Sequence, residues 1–111
     1  MRLEARKYFY DINFACELIM EFIAGKSLGD YEKDVMLQSA VERQFMIIGE
    51  ALSQLLRKWP EFENDISHAR EIISFRNVII HGYSTIENET VWGVICGDLP
   101  TLSEEITGLI G

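Results

Sequence analysis

The sequence predicts an all-α fold, an up-and-down four-helix bundle with a short fifth helix at the C-terminus. Three features point there. Apolar residues recur at intervals of three and four along most of the 111 residues, the period of a helix with one buried face. Glycine or proline closes each periodic stretch, at Gly25, Pro60, Gly82 and Pro100. No stretch alternates apolar and polar residues as a half-buried strand would, and there is neither an internal repeat nor a low-complexity segment.

The first element covers residues 3–24. Tyr8, Ile12, Ala15, Ile19, Phe22 and Ile23 form its apolar stripe, and Gly25 ends it. The linker over residues 25–29 is short, so the next helix is expected to return antiparallel. Asp30 is the expected N-cap of that second helix, with Glu32 and Asp34 suited to its positive end. Its stripe runs through Leu37, Val41, Ile48, Ala51, Leu52, Leu55 and Trp59 until Pro60 stops it. That gives about 28 residues and roughly 42 Å at the helical rise. Gly49 interrupts its middle, where glycine is about 1 kcal/mol worse than alanine; such a glycine usually permits close approach by another helix. Glu42, Arg43 and Glu50 fit a solvated face with local ion pairs, and Glu50 is the best placed of them to face a buried arginine.

Residues 59–64 read as a loop, with Asn64 or Asp65 capping a third helix that ends at Gly82. Ser84-Thr85-Ile86-Glu87 fits a capping box, with Ser at the N-cap and Glu at N3. A fourth helix follows, with Val91, Ile95 and Leu99 on one side, and Pro100 breaks or kinks it. Leu102, Ile106, Leu109 and Ile110 resume the period, with Pro100 in the first turn of the fifth helix.

A chain of this length is expected to form one domain, residues 1–111, with a modest core. Its hydrophobic fraction of 48% is high. There are more aliphatic, Phe and Trp side chains than one four-helix interior holds, so a second copy is expected to cover part of the surface in a homodimer. The net charge of −8 argues against loose nucleic-acid binding, which depends on phosphate neutralisation by Lys and Arg. Any RNA contact then needs a local basic cleft or a partner. Cys16 and Cys96 lack metal-ligand spacing and read as reduced core residues. Residues 1–7 lack the apolar core of a signal peptide, and no apolar run approaches membrane-spanning length. A cytoplasmic protein with no membrane partner is expected.

The stretch that concentrates chemistry is Arg76-Asn77-Val78-Ile79-Ile80-His81-Gly82-Tyr83. On a helical wheel Ile66, Ala69, Ile72, Ile73, Ile79 and Ile80 share a broad arc, and Arg76 falls near its middle. An unpaired interior charge is strongly unfavourable, so Arg76 needs a carboxylate, a second chain or an anionic ligand. A snorkelling arginine, together with a histidine favoured by the helix C-terminus, accounts for the pattern without any function. Taken chemically, the same residues suit metal-free cleavage of an RNA phosphodiester. His81 can take the proton of a ribose 2′-hydroxyl. Arg76 can grip the phosphate and stabilise the extra charge of the pentacoordinate transition state. Asn77 is placed to hold a phosphate or base edge, and Tyr83 to stack on a base or bond a phosphate. No Gly-rich phosphate loop, HExxH, CxxC pair or Ser-centred elbow accompanies them, so neither a metal nor a cofactor is expected.

Five residues along a helix rotate by about 140°. Arg76 and His81 therefore share a site only if the last turn unwinds before Gly82, or if two chains build it together around a two-fold axis. His68 reads as an ordinary surface or loop-proximal histidine.

The octapeptide resembles the Arg-x4-His-x-Tyr signature of HEPN-domain toxins of the HepT type. Two further stretches extend the likeness, Val41-Glu42-Arg43-Gln44-Phe45-Met46-Ile47-Ile48-Gly49-Glu50-Ala51-Leu52 and Val91-Trp92 leading to Asp98-Leu99-Pro100-Thr101-Leu102. With the order of helices, the resemblance covers nearly the whole chain. It implies a small helical bundle that dimerises and acts as a ribonuclease toxin. It also implies neutralisation by an antitoxin of the minimal nucleotidyltransferase class. On this resemblance Arg76 and His81 are the catalytic pair, and Tyr83 is the residue to which the antitoxin transfers AMP. Anionic bulk beside His81 and Arg76 would sit where RNA should bind. A reading from a different class is a non-catalytic helical adaptor, in which Arg76 and His81 bind a nucleotide or organise a dimer interface. Cleavage of RNA by the purified chain in EDTA separates the two.

Overall fold

In the computed structural model, which describes residues 3–82 and 86–111, the apolar periodicity resolves into six α-helices and one 3-10 helix. α1 spans Leu3–Ile23, α2 Leu28–Glu32, α3 Val35–Lys58, α4 Ala69–His81, α5 Asn88–Cys96 and α6 Asp98–Ile110; the 3-10 helix covers Pro60–Asp65. No strand occurs among the described residues, and the expected all-α bundle forms.

Three helix starts differ from the expectation. Asp30 does not cap the long helix. Ser27 caps the five-residue α2, its hydroxyl accepting from the Asp30 N–H while the Asp30 carboxylate accepts from the Ser27 N–H, a reciprocal capping box. Asp34 then caps α3, accepting from the Leu37 N–H at 3.0 Å, so α3 has 24 residues, fewer than expected. The second difference is at α4. Neither Asn64 nor Asp65 caps it, because both lie in the 3-10 helix; His68 holds the N-cap position without a side-chain bond. Third, Glu87 is the N-cap of α5 with an extended backbone, and is not the N3 residue of a capping box. Ser84 and Thr85 fall outside the described residues.

α3 is the central element. It packs on α1 and α4, α6 packs on α1, and α5 joins α6 to α2. Tyr8 near the start of α1 bonds Gln54 near the end of α3, as an antiparallel pair requires. On α1 the buried face is Ala5, Phe9, Ile12, Ala15, Cys16 and Ile19, with Tyr8, Phe22 and Ile23 half-buried at its edge. The face is rotated from the expected stripe because α1 packs against both α3 and α6. Cys16 belongs to this core, whereas Cys96 is exposed; both thiols are free. The stripe expected on α3 is buried in full, from Leu37 to Trp59. Phe9 meets Phe62 edge to face at 5.0 Å, pinning the 3-10 helix onto α1. Phe45 and Phe75 do the same for α3 and α4 at 5.1 Å. The break between α5 and α6 falls at Gly97, not at Pro100 as expected, so Leu99 belongs to α6; Pro100 does lie in the first turn of α6, where a missing N–H costs nothing. Among the described residues, no helix is long and apolar enough to cross a membrane.

Candidate functional site

Arg76 lies on the face of α4 that buries Ala69, Ile72 and Ile79. What admits it to that seam is Gly49 on α3. A Cβ built on Gly49 would overlap the Arg76 Cβ and stand 2.5 Å from its Cγ, so the arginine stem occupies the space a side chain at 49 would need. The guanidinium emerges at the edge of the seam. Its Nη2 donates to Glu50 Oε2 at 2.5 Å and its Nη1 to Asn77 Oδ1 at 2.8 Å. Glu50 is thus the carboxylate opposite the arginine. The Arg76 side chain is 25% exposed and that of Glu50 49%, while the Arg76 Nε is buried without a hydrogen-bond partner.

Beside this pair, α1, α3 and α4 border an open groove of about 410 Å³, a volume in the range of small-ligand sites. Arg76 and Glu50 share its lining with Lys7, Asp11 and Arg43, over an apolar patch that includes Met46 and Ile47. Three cations against two carboxylates make this a locally basic cleft in a chain of net charge −8. The sequence did not single out Lys7 or Gln54, which also line it. They lie on α1 and α3, 47 residues apart in the chain (54 − 7), and only the i, i+4 spacing of Glu50 and Gln54 on α3 hinted at a connection.

His81 is elsewhere. It is the last residue of α4 and is exposed. The Gly82 N–H donates to the Val78 carbonyl at 2.7 Å, so the last turn is intact helix and does not unwind. At the helical rotation His81 stands about 140° from Arg76 around α4, and it does not line the groove. Asn77 lies between them. It accepts from Arg76 and sits four residues before His81, on the same strip of helix surface. Tyr83 falls outside the described residues. His68 is half-buried at the start of α4, as an ordinary loop-proximal histidine would be. Among the described residues no three His, Cys, Asp or Glu side chains converge as a metal site requires.

A family model described as Ribonuclease HepT-like matches residues 12–109. The chain belongs to the HepT-like family. Curated relatives agree. The HepT-like chain is 30% identical over 105 residues to a protein of Caldanaerobacter subterraneus named "Putative RNase", covering 95% of this chain and 93% of the relative. It is 31% identical over 102 residues to a protein of Thermococcus cleftensis named "Probable ribonuclease HepT", covering 92% of each. No solved structure matches the chain. The octapeptide carrying Arg76 and His81 lies within the matched residues, as does the stretch carrying Gly49 and Glu50.

Proposed function

We propose that this HepT-like chain is a metal-independent endoribonuclease, the toxin of a toxin–antitoxin pair, with Arg76 and His81 as its catalytic pair. The observation that carries the reading is the setting of Arg76. Its guanidinium is held by Glu50 and Asn77 at the edge of a groove that also presents Lys7 and Arg43, in a family described as ribonucleases. In the reaction, His81 accepts the proton of a ribose 2′-hydroxyl, and that oxygen attacks the adjacent phosphorus. The bond to the 5′-oxygen breaks, leaving a 2′,3′-cyclic phosphate, and the departing oxygen takes a proton from water to become the 5′-hydroxyl. Arg76 stabilises the additional negative charge on the pentacoordinate phosphorus, and Asn77 holds a phosphate or base edge.

Because α4 stays helical through His81, the reading places the working site between two copies of the chain, Arg76 from one and His81 from the other. Support comes from apolar residues without a cover on this chain: Leu3, Tyr10, Phe14, Val35, Met36 and Val78 are exposed, and Val78 lies one turn before His81. The proposed antitoxin is a minimal nucleotidyltransferase that transfers AMP from ATP to the Tyr83 phenol, with release of pyrophosphate. The added phosphate would repel RNA beside His81.

The test is the purified chain with labelled RNA in EDTA. Arg76→Ala and His81→Ala should each slow cleavage by about 10²- to 10⁴-fold. Undiminished cleavage by both variants removes the assigned roles. With the nucleotidyltransferase and ATP, mass spectrometry should find one AMP on the wild-type chain and none on Tyr83→Phe.

One observation favours a second reading. Arg76 is already paired with Glu50, and His81 faces away from the groove. A non-catalytic adaptor that binds a nucleotide or a partner would fit that pairing. Absence of cleavage, together with tight nucleotide or partner binding, would select it.

A further inference from the structure

Glu50 is where two sets of donors meet. From one side Arg76 Nη2 donates to its Oε2 at 2.5 Å. From the other, Gln54 Nε2 donates to its Oε1 at 2.8 Å, Tyr8 Oη donates to Gln54 Oε1 at 3.1 Å, and Lys58 Nζ donates to Tyr8 Oη at 2.9 Å. Every proton in this row points towards Glu50, so each bond polarises the next in the same sense. Glu50, Gln54 and Lys58 recur every four residues on α3, one strip of its surface. Tyr8 joins the row from α1 and Arg76 from α4, so it ties three helices together. Tyr8 is itself fixed, with the Lys58 ammonium 5.2 Å from its ring centroid and the Trp59 ring edge-on at 6.2 Å.

A half-exposed carboxylate with one partner would swing, because a surface ion pair is weak. Here both oxygens are engaged, and the freedom to swing is lost. Tyr8, Gln54, Glu50 and Arg76 all line the groove. The first three are bonded to one another, so they are better suited to holding Arg76 than to binding what enters.

We propose that Glu50, Gln54 and Tyr8 are positioning residues, which with Lys58 fix the Arg76 guanidinium at the groove edge and leave its remaining Nη hydrogens for a substrate phosphate. The catalytic consequence rests on the nuclease reading; the geometric claim does not.

The experiment uses the full chain and the variants Tyr8→Phe, Gln54→Leu and Glu50→Gln, with two readouts. One is the rate at which phenylglyoxal modifies Arg76, located by peptide mass spectrometry. The other is kcat and KM for a short labelled RNA in EDTA. Tyr8→Phe removes one hydroxyl and keeps the ring, so circular dichroism should find its helicity unchanged. Modification of Arg76 should accelerate about fivefold in each variant, with kcat lower by about the same factor and KM nearly unmoved. Unchanged modification rates in all three variants overturn the proposal, as does faster modification with unchanged kcat. If the wild-type chain cleaves no RNA, the nuclease reading falls. Faster modification then still supports the row as the holder of Arg76, and its absence overturns it.

Discussion

Arg76 survives in the α3–α4 seam because the residue opposite has no side chain. Gly49→Ala sets two effects against each other. Alanine is the better helix former by about 1 kcal/mol, but its Cβ would overlap the base of the Arg76 stem, and forced overlap in a packed seam costs about 1–3 kcal/mol. The overlap should win, since the atoms met are Cβ and Cγ, not a mobile tip. A melting temperature lower by about 4 °C is expected; a rise in a thermal melt would mean that the seam relaxes freely. Cys16 offers a pH test. Burial pushes its thiol from an ordinary 9.0 up to about 12, with Glu17 adding to the shift. In this window the unfolded chain loses the proton and the folded chain keeps it, so stability is intact below pH 9 and falls as pH rises. The slope should be about half of 1.4 kcal/mol per pH unit at pH 9 and approach that full value near pH 10. Urea melts between pH 8.5 and 10 should show that decline in the wild type, and Cys16→Ala should lack this component.

At the scale of the element, helix ends decide where site residues fall. α3 begins at Val35 because Asp34 accepts from the Leu37 N–H, which sets the phase of Gly49, Glu50 and Gln54 against α4. Asp34→Ala should therefore lower stability by about 1 kcal/mol, read as a lower urea midpoint with an unchanged slope. An unchanged midpoint would mean that the cap contributes nothing. The sequence offered Asp30, Glu32 and Asp34 within one turn and a half, and composition does not distinguish the N3 of a five-residue helix from the N-cap of a long one. Geometry does, once Lys33 closes α2. The end of α4 was more legible. Gly82 stops it as expected, and the helix that runs through His81 holds it about 140° around α4 from Arg76 within one chain.

At the scale of the whole molecule, the proposed nuclease needs two chains, and this makes a quantitative prediction. Arg76→Ala and His81→Ala chains, each inactive alone, should regain activity when unfolded together and refolded. Half of the dimers would be mixed and each would carry one intact site, giving about a quarter of wild-type activity. No recovery from a mixture that forms mixed dimers, verified by mass spectrometry of differently tagged chains, would return both residues to a single-chain site. The exposed Phe14, Met36 and Val78 are what a second copy would cover.

The sequence by itself determined the all-α class, the buried stripe of α3 and the choice of Glu50 as the carboxylate best placed to face Arg76, because period, charge cost and a mid-helix glycine are local or nearly local signals. It also carried the family. Only the tertiary structure decided that Gly49 receives the arginine stem, that Gln54 and Tyr8 stand behind Glu50, and that His81 lies on another strip of α4 from the groove. The physical reason is distance along the chain: a hydrogen bond between Tyr8 and Gln54 spans 46 residues, and its partners become neighbours only when α1 and α3 have buried their apolar faces against each other.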